Sequence, residues 1–122
     1  MEELKKDMIN LNPYATIAIK AFKYMKTGLD EKQAWEKASC EIFTKGSYAQ
    51  KKPCPKNAFY GIVSENSQGK NANYAKDALN ILKANKGKVY SPDELWKLIM
   101  NAPPTHNHQM DVVLALWNEK LI

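Results

Sequence analysis

The sequence contains no arginine: all 18 of its basic residues are lysines, which, with 13 acidic residues, give a net charge of +5. The planar guanidinium group of arginine recognises guanine edges and binds phosphate through two parallel hydrogen bonds, whereas the lysine ammonium group acts only as a point charge. The lysines are also spread along the chain, as on a solvated surface. The composition therefore argues against sequence-specific recognition of nucleic acid, while the positive charge still favours anionic partners.

Cysteine and glycine are also scarce. Two cysteines, Cys40 and Cys54, are too few for a disulfide framework, and the five glycines are isolated, so no phosphate-binding glycine loop is present. No apolar run is long enough for a membrane span, and the first residues carry acids without an apolar segment. We therefore expect a cytoplasmic protein without membrane attachment. No complete cofactor or metal motif occurs, and no cofactor is predicted.

Helix start and stop signals divide the chain into short segments. Prolines at first helical positions, capping residues and glycine stops predict a compact all-α bundle of five to six short helices. The 122 residues form a single predicted domain, 1–122, in which 1–12 is a short N-terminal arm or an extra helix. The main signals are Asn12-Pro13, Gly28, Asp30 with a stop at Gly46, a third helix starting at Pro55, a stop at Gly87, and the capping box Ser91-Pro92-Asp93-Glu94.

The segment 112–117 is apolar on almost every side, which is typical of a buried helix. A dense run of polar side chains immediately precedes it, so the sequence predicts a central C-terminal helix with a polar pocket at its start. We expect the N-termini of the third, fourth and sixth helices to converge there and to bind a small or anionic ligand or a protein partner. The predicted lining is Lys56, Asn71, His106, Asn107, Gln109 and Asp111.

Metal binding is disfavoured at this pocket. His106 and His108 are two residues apart, and side chains at that spacing do not share a helix face. With Asp111 they would supply only a weak ligand set, and capping of the helix start explains the same residues. No metal is therefore predicted.

Cys54 lies between two prolines at the start of the predicted third helix, where positive charge favours a reactive thiol. Catalysis would require a histidine to approach it, which the sequence does not indicate, and a small half-buried residue beside rigid prolines is the alternative. A cysteine–histidine enzyme is thus the third functional hypothesis, behind a binding or regulatory domain and a nucleic-acid-binding module.

Several strings together resemble a family of small, uncharacterised bacterial proteins, classed as a domain of unknown function. The resemblance extends from about Tyr14 onward and is most specific in the closing string. It implies a stand-alone cytoplasmic bacterial domain and carries over no activity, cofactor or site residue. The strings are Ala34–Glu36, Cys54–Gly61, Asn73–Ala75, Glu94–Trp96 and His106–Trp117.

The last three predicted helices also resemble the helical part of a winged helix, in which the final helix reads DNA. The turn over residues 101–108 is long for that motif, and the final helix is too apolar to offer a reading face. A helix-turn-helix nucleic-acid-binding module is therefore the alternative function.

Overall fold

The computed structural model describes residues 12–64, 69–100 and 108–122. These residues form six helices of nine or more residues and one of four, without a strand among them, so the predicted all-α bundle is confirmed. Residues 1–11, most of the predicted N-terminal arm, lie outside the described residues. The helices are α1 (Pro13–Met25), α2 (Glu31–Ile42), α3 (Tyr48–Lys51), α4 (Pro53–Val63), α5 (Lys70–Ala84), α6 (Pro92–Met100) and α7 (Gln109–Asn118).

Side-chain caps begin three of these helices at the predicted residues. The Asn12 carboxamide accepts the Tyr14 amide at 2.8 Å, and Asp30 begins α2 with a reciprocal capping box. At α6 the Ser91 hydroxyl accepts the Glu94 amide at 3.1 Å, and the Glu94 carboxylate accepts the Ser91 amide at 3.0 Å. Each cap provides hydrogen-bond partners for amides that have none inside the helix. Because the capping residue and these amides are neighbours in the sequence, the local sequence is enough to predict the cap.

Two predicted helix boundaries are wrong. The helix α2 ends at Ile42 instead of Gly46, because the chain turns there and starts α3, whose first amides are capped by Ser47. The helix α4 begins at Pro53 instead of Pro55. Amides in the first turn of a helix need no intrahelical partner, so both prolines fit within that turn.

The helix α7 lies between two halves of the core, as its apolar character predicts. Val112 and Leu116 pack with α1, α2 and α4, while Met110 and Val113 pack with α4, α5 and α6. These four side chains are fully buried. Because the core surrounds α7, every face of this helix packs against apolar neighbours, which explains why apolar residues occur all around it.

The helices α4 and α5 approach closely at Gly61. A Cβ atom built at Gly61 would lie 2.5 Å from Ala72 Cα and 2.7 Å from its carbonyl oxygen. Alanines at positions 58, 75 and 78 of the same two helices are fully buried in one core cluster. Small residues therefore set the distance between these two helices.

Candidate functional site

Two of the predicted site residues, at the starts of α5 and α7, are in direct contact. Gln109 is only 3% exposed, and its Nε2 donates to Asn71 Oδ1 at 2.9 Å. Asn71 belongs to the first turn of α5, so this hydrogen bond joins the starts of two helices. Burial of a side-chain amide without hydrogen-bond partners costs free energy. The hydrogen bond to Asn71 supplies one of the partners that the Gln109 carboxamide needs.

His108 forms a second polar cluster at the same helix start. Its Nδ1 lies 3.0 Å from Asp111 Oδ2 and 3.0 Å from Asn12 Nδ2, and its ring stacks on Tyr14 with centroids 4.8 Å apart. A protonated Nδ1 donates to Asp111, whereas an unprotonated Nδ1 accepts from Asn12. His108 also has a left-handed φ of 68°, a conformation that costs on the order of 1–2 kcal/mol. These contacts tie the start of α1 to the start of α7.

The predicted site residues do not share one cavity in the described structure. Asp111 borders a cavity of about 280 Å³ whose wall comes from α1, α7 and the segment before α6. Lys56 lines a different cavity, described next. His106 and Asn107 lie outside the described residues. Ligand binding by the predicted set stays a prediction.

A cavity of about 480 Å³ lies beside α2, α3 and α4. Lys32, Lys45, Lys51 and Lys56 line this space, and Glu36 is its one carboxylate. We call it the lysine cavity. It gathers positive charge from four separate stretches of chain. The remaining wall consists of Trp35, Gly46, Gln50, Asn57 and Tyr60.

Gln50 fixes one side of the lysine cavity and is only 6% exposed. Its Nε2 donates to Ser39 Oγ at 2.9 Å and to Glu36 Oε2 at 3.4 Å. Its Oε1 accepts the Gly46 amide at 3.1 Å. One side chain thus holds the turn that carries Lys45 against α2.

Tyr60 presents a neutral phenol at this wall. Burial raises the pKa of Tyr60 to about 12, and the nearby carboxylates of Glu31, Glu36 and Asp30 act in the same direction. The hydroxyl group therefore keeps its proton at neutral pH and can donate a hydrogen bond.

The start of α4 contributes little to anion binding through its backbone. Pro53 and Pro55 occupy two of the first three positions of the helix, and proline has no amide hydrogen. The usual anion site at a helix start depends on such amides. An anion in the lysine cavity would therefore be held mainly by ammonium groups.

Sequence reasoning found Lys56 but missed the other three lysines, Gln50 and Tyr60. Lys32 and Glu36 are four residues apart on α2, which places them on one helix face beside Trp35. That spacing is a usable local signal. The approach of Lys45 and Lys51 depends on tertiary contacts that no local pattern encodes.

Cys54, the predicted reactive thiol, is a free and partly buried cysteine in the first turn of α4. Of the two histidines, His108 bonds Asp111, and His106 lies outside the described residues. Within residues 12–64, 69–100 and 108–122, no three His, Cys, Asp or Glu side chains could share a metal ion. None of the helices in this part of the chain is long and apolar enough to cross a bilayer.

Comparison with known proteins gives a family without an assigned activity. No curated protein and no solved structure matches the chain. The model of a family of unknown function, DUF6979, matches residues 11–122, which includes every described residue. The resemblance to an uncharacterised family is thereby confirmed, and the chain belongs to the DUF6979 family.

Proposed function

We propose that this protein is a binding domain for a small polyanion, which it holds in the lysine cavity. One observation carries the proposal: four lysines and a single carboxylate surround one concave space of about 480 Å³. The volume is in the usual range for small-molecule sites, roughly 300–1,000 Å³. A cytoplasmic setting, expected from the sequence, is part of the proposal.

Electrostatics supports an anionic ligand with more than one charge. Lys32, Lys45 and Lys51 are exposed and Lys56 is partly buried, so their positive charges are accessible to an anion that enters the space. Lysine is a mobile point charge, so the cavity suits compact groups such as phosphates without demanding one bidentate geometry. The neutral Tyr60 hydroxyl adds a hydrogen-bond donor to this wall.

The burial of α7 argues against the alternative helix-turn-helix function. The residues from Gln109 to Leu116 are buried except for Asp111, which is partly buried. A recognition helix must expose side chains to the DNA groove. The helix assigned to that role by the winged-helix resemblance has no such face.

Isothermal titration calorimetry with pyrophosphate, inorganic phosphate and citrate tests the proposal. We expect pyrophosphate to bind and phosphate to bind more weakly, because fewer lysines can engage it. Replacing all four cavity lysines with glutamine should weaken pyrophosphate binding more than about tenfold, or ~1.4 kcal/mol. Circular dichroism melts check that the variant is folded.

The matched control replaces four exposed lysines outside the cavity with glutamine, which removes the same charge. Those positions are Lys23, Lys70, Lys83 and Lys97. The control should bind pyrophosphate within about twofold of the unaltered protein, because none of its four lysines lines the cavity and salt screens the more distant charges. An equal loss in both variants would show diffuse surface attraction, and no binding of any probe would refute the proposal.

A further inference from the structure

A second concave surface lies where the segment after α5 meets the end of the chain. It has a volume of about 520 Å³ and combines an apolar floor with a basic rim. Trp117 and Ile122, which are partly buried, form the floor, the exposed Val89 stands at its edge, and no acidic side chain lines the groove. The rim consists of Lys86, Lys88 and Lys120. We call this surface the C-terminal groove.

Val89 is the most exposed large apolar residue of the described chain, at 85%. It lies in the segment between α5 and α6, where residues 88–90 are neither helix nor strand. Both ends of this segment are fixed: the Lys88 amide donates to Asn85 O at 3.1 Å, and the Ser91 amide donates to Glu94 at 3.0 Å. An aliphatic side chain is therefore held in solvent by ordered backbone.

The backbone of Val89 is also open to a partner. Within the described residues, neither its amide nor its carbonyl makes a hydrogen bond. An extended peptide can add to such a segment through main-chain hydrogen bonds, with alternate side chains directed to the same face. Such a peptide would place apolar side chains on the floor and acidic ones against the lysines.

We propose that the C-terminal groove docks an extended acidic segment of a partner protein, in which glutamate or aspartate alternates with large apolar residues. Charge complementarity to the three lysines selects the acidic residues, and the exposed Val89 selects the apolar ones. This interaction is separate from the lysine cavity, because the two sites share no lining residue.

Other anionic macromolecules fit the groove less well. Single-stranded nucleic acid binds through free aromatic faces, whereas Trp117 is packed against the core formed by α4 to α7. A bilayer surface requires a broad protruding apolar face, whereas Val89 alone among the apolar residues of this groove protrudes, and Trp117 and Ile122 are partly buried. A peptide side chain can enter such a space.

Fluorescence anisotropy with a synthetic probe tests the proposal. The probe is a fluorescein-labelled seven-residue peptide that alternates glutamate with leucine, and the control peptide replaces each glutamate with lysine. We expect the acidic peptide to bind and the basic one not to bind. Val89→Asp should weaken binding at least about tenfold through lost apolar contact and added repulsion.

Leu98→Asp is the matched control, because Leu98 is 57% exposed on α6 and does not line the groove. It should leave peptide affinity unchanged. A second comparison uses two double variants. One carries Lys88→Glu and Lys120→Glu in the groove, and the other carries Lys23→Glu and Lys97→Glu outside it. Only the first double variant should weaken binding.

Three results would overturn the proposal. They are absence of binding of the acidic peptide, equal effects of Val89→Asp and Leu98→Asp, and tighter binding of oligo-deoxythymidine or of phosphatidylserine vesicles than of the peptide. Pyrophosphate should not compete with the peptide. Competition would place both ligands in one site and contradict the separation of the two surfaces.

Discussion

The start of α7 and the lysine cavity differ in how their polar groups are used. At α7, Gln109 bonds Asn71, and His108 contacts Asp111, so these polar side chains find partners inside the protein. In the lysine cavity, four lysines and the carboxylate of Glu36 line one space, and the carboxylates of Asp30 and Glu31 act on the Tyr60 wall from nearby. Internally paired groups stabilise a fold, whereas unbalanced like charges favour an external ligand.

The comparison also contrasts a dense sequence motif with the proposed binding site. The polar run before α7 is conspicuous because it is continuous in the sequence, yet its described members join helix starts. The lysine cavity is inconspicuous because its residues come from separate segments.

The largest expected effect tests whether α7 is the centre of the core. Leu116 is fully buried, so Leu116→Ala should cost about 2–5 kcal/mol of unfolding free energy through lost apolar burial and an unfilled cavity. Denaturant unfolding measures the change. Leu98→Ala, at an exposed position, should change stability by less than about 0.5 kcal/mol. Equal effects of the two substitutions would contradict the central position of α7.

The contact between α4 and α5 should be the next most sensitive feature. Gly61→Ala should cost about 1–3 kcal/mol, because the added methyl group meets the backbone of Ala72 and the helices must separate. Asn73→Ala, an exposed substitution on α5, is the control in the same denaturant experiment and should be nearly neutral. A stabilised Gly61→Ala protein would show that the helices are not in close contact.

A smaller effect sharpens the distinction between the two regions. Asp111→Asn weakens the contact to His108 and should cost about 0.5–1.5 kcal/mol of stability. Pyrophosphate affinity should not change, because Asp111 does not line the lysine cavity. Calorimetry on this variant measures both quantities. A marked loss of affinity would instead favour the single pocket predicted from the sequence.

The smallest effect concerns alkaline pH. An unfolded tyrosine loses its proton near its ordinary pKa of 10.0, whereas the folded pKa of Tyr60 is about 12. Tyr60 therefore contributes stability below pH 10.0, and this contribution is lost as the pH rises toward about 12. Thermal melts across this range should show a shallower decline for Tyr60→Phe than for the unaltered protein. Parallel declines would contradict the raised pKa.

Local physics explains which parts of the fold were predictable. Asn12, Asp30 and Ser91 cap helices through contacts within three residues, so their sequence neighbours suffice. The apolar surface of α7 likewise follows from its composition. The prolines at the start of α4 misled the boundary prediction, because the first turn of a helix tolerates proline at more than one position.

The lysine cavity was not predictable in the same way. Gln50 positions the turn at Gly46 only because Ser39 and Glu36 are packed beside it. Those partners are separated from Gln50 in sequence by 11 and 14 residues. From the sequence alone, a lysine that lines this cavity cannot be distinguished from a lysine on an ordinary solvated surface.

Nuclear magnetic resonance mapping of pyrophosphate binding tests the central claim most directly. In an amide spectrum of ¹⁵N-labelled protein, we predict progressive shifts for Gly46, Gln50 and Lys56, together with the indole signal of Trp35, which all line the lysine cavity. The amides of Asn71 and Gln109 should remain in place. Shifts centred on Asn71 and Gln109, with an unaffected lysine cavity, would contradict the account.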